Sequence, residues 1–321
     1  MNRVFEATLE DSFKTLYADE LFQTDAHLSM GTLLSEDSLI FHKPRSLGGF
    51  DLGEKHRRIL VNQFARKAPY VQELDKLRLI DVLSLCQPRE LDLNLDLVTP
   101  VILDHCSPSQ LEITHDNSGF RMKGIIGRAQ IMGSSLCIVF FYEQNVYIYR
   151  ILADEVFIEP QGTNSAGLVG DLLRVKDLHL NDSQCIAQAK LSEEDYLQLM
   201  RQARIDLMSF SLGYCHTLLN LCKRRLIEKK QFGKHLHEHQ YLRLNYASLL
   251  AQYTVLEQGY HESNYSRQGL DAIKSLLLTI FRTTVHIHGC YGLTVESPVY
   301  DFFAKTTDLS ERVNKVVSDG N

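Results

Sequence analysis

What this sequence lacks narrows it first. It has no tryptophan, which excludes any ligand cradle built on an indole. No apolar run approaches the ~20 residues that span a bilayer; the longest, Leu136 to Tyr142, is far shorter, and no membrane segment is expected. There is no excess of cations: 34 Lys and Arg stand against 40 Asp and Glu, a net charge of −6. A basic footprint for nucleic acid is therefore missing, and the acidity is too mild for an acidic tail. No CxxC pair occurs among the seven cysteines (Cys86, Cys106, Cys137, Cys185, Cys215, Cys222, Cys290), which are scattered and odd in number. That usage fits a reduced, cytoplasmic protein with buried thiols. Glu6, Glu10 and Asp11 do not fit a secretory leader. Internal repeats and low-complexity linkers are also missing.

What is present is globular. The 321 residues are 44% hydrophobic and 23% charged, enough for two or three domains with a large core. Three zones differ in periodicity. In the first, Phe5, Leu9, Phe13 and Leu16 mark a helical stripe, and Pro44, Gly48 and Gly49 mark a loop. Helices are predicted from about Glu54 to Arg66 and Val71 to Leu85, ending before Pro88. The second zone is β-rich: Val98–Leu103, Leu111–Thr114, Gly119–Ile126, Leu136–Tyr142, Val146–Leu152 and Val156–Glu159, with turns at 116–119 and 143–145. Closely spaced strands of this kind predict a small antiparallel barrel or sandwich. In the third zone Met200, Ala203, Leu207, Phe210, Tyr214, Leu218 and Leu221 form a long stripe. Further helices are predicted from about Glu238 to Glu257 and Ser266 to His288, an antiparallel bundle. The fold class is thus α+β and multidomain: an N-terminal helical domain (1–96), a central β domain (97–185) and a C-terminal four-helix bundle (186–321).

Several chemical patterns read as weak. His235 and His239 would share a helical face, as metal ligands can, but no Cys or Glu cluster accompanies them. Ser209 to Gly213 spells S-x-S-x-G, yet sits mid-helix and not on a strand-to-helix elbow. Cys215 and Cys222, two helical turns apart, read as packing residues.

Two longer patterns carry a resemblance. Lys223 to Lys234 (KRRLIEKKQFGK), followed by Glu238-His239-Gln240, and then His286-Ile287-His288-Gly289-Cys290-Tyr291-Gly292-Leu293, with Glu296 to Val299, resemble the acyl-CoA dehydrogenase family. Its patterns there are Y-x-x-x-R-x-x-F-G-K with a downstream Q, and Q-x-x-G-G-x-G-[YF]. Leu47 to Gly53 resembles its first-domain glycine turn. The family's order of helices, barrel and helices matches the zones above.

The resemblance implies a flavoprotein that removes a β-hydride from an acyl-CoA to FAD while a glutamate takes the α-proton, with the flavin at a subunit interface. It implies that Lys229 stands where the family has a pyrophosphate-contacting arginine, keeping the charge and losing the fork. Phe232 matches the adenine-side aromatic and Gln240 its polar contact. His286 replaces the glutamine before the glycine pair; Gly289 keeps the first glycine and Cys290 replaces the second. The run Lys223-Arg224-Arg225 falls near flavin or CoA phosphates.

Other parts of the pattern are gone. The T-E-P-x-x-G-S-D loop is replaced by Val98 to Asp104, and W-I-[TS]-N falls on Arg128-Ala129-Gln130-Ile131. The usual base position is Val313, with R-D-A at Ala304-Lys305-Thr306. The alternative base position, before the substrate-side Arg204, is Ala203. Glu311 is the nearest carboxylate to the first of these, and Asp206 is a more distant candidate. Three readings follow: a base-lacking subunit of a heteromeric enzyme in fatty acid or lipid metabolism, as for family members acting on bulky thioesters such as sterol side chains; a self-sufficient homo-oligomer using Glu311; and a non-catalytic acyl-binding or scaffold protein. No metal is implied.

Overall fold

The computed structural model describes residues 53–67, 73–86, 98–103, 111–116, 119–129, 131, 134–159, 171–261 and 267–318. The stripe from Phe5 to Leu16, the loop at Pro44 to Gly49 and the glycine turn up to Leu52 lie outside them. The chain forms two compact units: Gly53–Tyr70 with Arg204–Asn321, and Val71–Ala203.

In the second unit, α2 (Glu73–Cys86) lies with eight strands. One sheet has the order β1 (Val98–Leu103), β4 (Ser135–Tyr142), β5 (Asn145–Leu152), β8 (Cys185–Lys190). The other has the order β2 (Leu111–Asp116), β3 (Gly119–Ala129), β7 (Asp171–Leu180), β6 (Phe157–Glu159). One core serves both sheets: Val101, Leu136, Ile138 and Phe140 from the first meet Phe120, Met122, Leu173 and Leu178 from the second. Phe120 packs edge-on against Phe140, centroids 5.0 Å apart, and aromatic pairs favour that geometry. The β sandwich is thus present, with one departure from the antiparallel expectation: β1 pairs with β4 in parallel, Val98 beside Ser135 through Leu103 beside Phe140. β2 and β3 intervene in sequence, and such an excursion lets the chain re-enter in the same direction.

The β4–β5 turn is tight. Tyr142 pairs with Asn145, leaving Glu143 (φ 47°) and Gln144 (φ 63°) as a two-residue hairpin loop. Positive φ at both central positions matches the right-handed strand twist.

The first unit holds α1 (Glu54–Lys67), α3 (Glu193–Glu228, from Arg204 onward), α4 (Gln240–His261), α5 (Arg267–His288) and α6 (Asp301–Ser318). α3 is central to it. Its Tyr214 hydroxyl donates to the Phe302 carbonyl of α6 at 3.0 Å. Thr284 of α5 lies 3.5 Å from the Leu218 carbonyl, and Ser209 hydrogen-bonds the Tyr260 hydroxyl of α4. α1 crosses α3 at Gly213, where a Cβ would lie 2.2 Å from the Asn62 carbonyl oxygen. That crossing gives S-x-S-x-G a structural meaning: Ser209 and Ser211 bond back to the Ile205 and Leu207 carbonyls, and the glycine admits a neighbouring backbone.

Beside the crossing runs a polar seam. Arg57 grips Asp206 with two parallel hydrogen bonds, Nε to Oδ1 at 2.9 Å and a second from its terminal nitrogen to Oδ2. Arg58 lies 4.2 Å from the Tyr260 ring centroid and donates to the Tyr260 carbonyl. Arg66 pairs with Glu257 at 2.8 Å.

Candidate functional site

The two sequence patterns meet at the far end of α3, within the first unit. The last turns of α3 carry Arg224, paired to Glu228 at 2.7 Å, and the chain then folds into a minimal hairpin. β9 (Lys230–Gln231) pairs with β10 (Lys234–His235), and Phe232 (φ 52°) and Gly233 (φ 78°) form the turn. A phenylalanine at positive φ is sterically disfavoured. Here it holds the ring outward, 87% exposed, with Lys229, Lys230 and Lys234 also exposed around it.

The hairpin is anchored from behind. Leu236 is buried with Cys222, Leu226 and Ile287, and its amide donates to the Lys229 carbonyl at 2.9 Å. His237 Nδ1 donates to the Leu226 carbonyl and His239 Nε2 to the Gln231 carbonyl. His235 stacks on His237 with centroids 5.4 Å apart. Among the described residues no group of three metal-binding side chains occurs. Gln240 opens α4 and is exposed.

The second pattern closes α5. Gly289 takes φ 64°, the left-handed cap that ends a helix. Cys290 and His286 are exposed, while Gly292 is buried. A Cβ on Gly292 would lie 2.9 Å from the Cβ of His288. The position that demands glycine for close approach is therefore 292, and the approach is to the protein's own helix. His288 is buried and donates from Nδ1 to the Thr284 carbonyl at 2.8 Å. Burial holds its imidazole below the ordinary histidine value and the nearby Arg225 charge lowers it further, against that hydrogen bond, which raises it.

Arg225 joins the two patterns. Its guanidinium stands 5.1 Å from the Tyr291 ring centroid, and its buried Nε has no hydrogen-bond partner among the described residues. His235 Nδ1 is a second buried nitrogen without one. In the sequence Arg225 reads only as part of a basic run. The signal was its spacing: Tyr214, Leu218 and Leu221 continue the α3 stripe onto it.

The remaining candidates fall on other elements. Arg204 is about 36 Å along α3 from Glu228 at 1.5 Å per residue, and its Nε is also buried without a partner. Ala203 is buried. On α6, Phe302, Thr306, Leu309 and Val313 face inward, whereas Glu311 is exposed. Asp206 has both carboxylate oxygens committed to Arg57. In the second unit, Ala129 is buried and Ile131 packs against the β core. Burial pushes the Cys222 thiol up to about 12 and raises Cys215 further, as expected of inert packing thiols.

The His288 environment makes a testable difference. Its folded-state pKa is depressed, so its contribution to stability is present above about pH 6.5 and fades as pH falls through the folded value. Unfolding free energies measured between pH 5 and 8 are expected to drop on the acid side by at most about 1.4 kcal/mol per pH unit from this group. His288→Gln is expected to flatten that limb.

Comparison with known proteins agrees with this layout. No family model and no curated protein matches the sequence. Solved structures do. The ChsE4–ChsE5 complex from Mycobacterium tuberculosis aligns at TM-score 0.72 and 13% identity, covering 97% of this chain and 94% of that one. An acyl-CoA dehydrogenase from Geobacillus kaustophilus aligns at 0.72 and 10%, covering 98% and 97%. A variant of the Tcur3481–Tcur3483 steroid ACAD aligns at 0.66 and 17%, covering 98% of each chain. The chain has the acyl-CoA dehydrogenase fold over nearly its whole length. Its described helices include none long and apolar enough to cross a membrane.

Proposed function

We propose that this chain is a subunit of an acyl-CoA dehydrogenase that oxidises the α,β-bond of an acyl-CoA thioester, working beside a second chain of the same fold. The observation that carries the reading is an asymmetry. The hairpin end of the bundle presents an outward aromatic, a ring of lysines and unpartnered buried nitrogens. Meanwhile the two positions where this fold family places a glutamate hold Val313 and Ala203, both buried. Neither can accept a proton, so the base falls to the partner. Two of the structural relatives are themselves named as two-chain assemblies.

The residues fit one half of an FAD. Arg225 and Lys229 supply cationic donors for a pyrophosphate, Phe232 a stacking face for adenine, and Gln240 an amide. His286, Gly289 and Cys290 border the same end. They fit the ring half poorly: no tryptophan exists, and the matching segment turns Ala129 into the β core. FAD supplies the hydride acceptor when bound. This chain's contribution is to hold the partner's cofactor by its phosphate and adenine end; Arg204 lies on the substrate side.

The test is co-expression with a candidate partner chain of this fold, followed by flavin absorbance and dye-coupled acyl-CoA oxidation. The expected result is a lone chain without colour and a yellow, active complex. A base–aromatic stack contributes about 1–3 kcal/mol, so Phe232→Ala is expected to weaken flavin retention about tenfold or more. Glu311→Gln is expected to leave turnover unchanged. A yellow, active lone chain that Glu311→Gln silences would replace this reading with the self-sufficient one. Protein colourless in every assembly would replace it with the non-catalytic one.

A further inference from the structure

His288 closes α5 and is buried there. Its Nδ1 donates to the Thr284 carbonyl, one turn back, at 2.8 Å. A carbonyl only accepts, so the proton of the neutral ring sits on Nδ1, and Nε2 is the atom left to take up another. The turn Gly289–Leu293 packs against the stem of the side chain: a Cβ on Gly292 would lie 2.9 Å from the His288 Cβ. In the same turn, three residues beyond His288, the Tyr291 ring stands 5.1 Å from the Arg225 guanidinium.

The surroundings oppose a second proton. A C-terminal helix end favours a cation, but burial and the Arg225 charge from α3 work against one. The other neighbours offer no compensating charge. Cys222 of α3 is bonded to Thr284, and Tyr246 of α4 packs beside Cys222 and Ile287. His286, on the same helix, is exposed. Among the described residues no carboxylate acts on His288.

We propose that His288 couples protons to phosphate at this end of the bundle: a pyrophosphate brought to Arg225 lets His288 take up a proton, and a protonated His288 in turn tightens the pyrophosphate. The inference rests on the reading of this end as a phosphate site. While Arg225 faces His288 with its charge unanswered, a second positive charge on Nε2 is repelled and the ring stays neutral. A pyrophosphate diester carries two negative charges. Held at Arg225, it offsets the field that keeps the ring neutral. His288 then binds a proton at a pH where the empty site does not. Coupling between two ligands is reciprocal, so the same free energy strengthens the hold on phosphate once His288 is charged. The sign follows: binding raises the pKa, so affinity climbs as pH falls through the bound-state value and levels off below the free-state value. Half a pKa unit of coupling corresponds to about a threefold gain in affinity. His288 acts through the field at Arg225 and needs no contact with the phosphate.

The test follows His288 itself, by NMR titration of the full chain with isotope-labelled histidine, its signal identified by its loss in His288→Gln. Without ligand, Arg225→Gln is expected to move the His288 titration to higher pH. ADP-glucose, a pyrophosphate diester of adenosine with no group of its own titrating near neutral pH, is expected to move it the same way in the unsubstituted chain. It is also expected to bind about threefold tighter at about pH 5.5 than at about pH 7.5. That gain is expected to shrink in His288→Gln, leaving only the share of the hairpin's own His235, His237 and His239. A His288 titration unmoved by Arg225→Gln, or ADP-glucose binding with one pH profile in both the unsubstituted chain and His288→Gln, would overturn the proposal and leave the phosphate site standing. ADP-glucose that does not bind at all would remove the phosphate site, and this inference with it.

Discussion

Asp206→Ala is expected to cost up to ~3–5 kcal/mol of folding stability, because it takes from the buried Arg57 charge the carboxylate that it holds with two hydrogen bonds. Both side chains are almost wholly removed from water, Arg57 at 7% and Asp206 at 2% exposure. Their attraction offsets desolvation only while both are present. The pair also ties α1 to α3 across 149 residues of sequence, so its loss is expected to loosen the first unit. Urea denaturation of Asp206→Ala beside the double variant Arg57→Leu/Asp206→Leu checks the cause. The double variant removes both charges and is expected to recover most of the loss. Equal destabilisation of single and double variants would assign the effect to packing.

Gly213→Ala is expected to destabilise by about 2 kcal/mol, against the usual sign for such a change. Replacing a mid-helix glycine by alanine ordinarily gains about 1 kcal/mol. At Gly213 the new methyl would meet the Asn62 carbonyl oxygen at 2.2 Å and the Ala65 Cβ at 2.9 Å. The first of these is backbone, so α1 itself must move, and overpacking of this kind costs about 1–3 kcal/mol or more. The clash outweighs the propensity. Gly259, on α4, is the matched control: a Cβ there meets nothing within 4 Å. Gly259→Ala is expected to stabilise by about 0.5–1 kcal/mol. Thermal melts of the two variants should shift in opposite directions, and a shared direction would refute the crossing argument.

The element pattern was largely legible in the sequence, and its misses have definite causes. α1 and α2 fall within two residues of their expected bounds, and six strands were anticipated. β7 and β8 were not, although Leu173, Val175, Leu178 and Leu180 of β7 all face the core. Its register slips where Val175 faces Gly124 and Leu178 faces Met122, so the extra residue at Lys176-Asp177 breaks the two-residue period that would announce a strand. The parallel β1–β4 pairing left no trace either, because alternation records which side chains are buried and not which way a strand runs.

The site divides the same way. Lys229, Phe232, Gln240 and Gly289 are singled out by pattern. Nothing in the pattern showed that Phe232 points outward at positive φ, or that Arg225 stands beside the Tyr291 ring with its Nε buried. Leu236, buried with Ile287, backs the first, and the Tyr291 ring stands beside the second; both depend on residues distant in the chain.

By itself the sequence determined the chemical inventory: no indole anywhere, a valine and an alanine at the two positions where the resemblance would put a base, a cationic run at the end of the long helix α3. Those are properties of side chains and survive in any conformation. Which polar groups are paired and which wait for a partner was decided only by the fold. Desolvation and hydrogen bonding depend on neighbours brought from distant parts of the chain, as Arg57 is brought to Asp206, and no local pattern encodes that meeting.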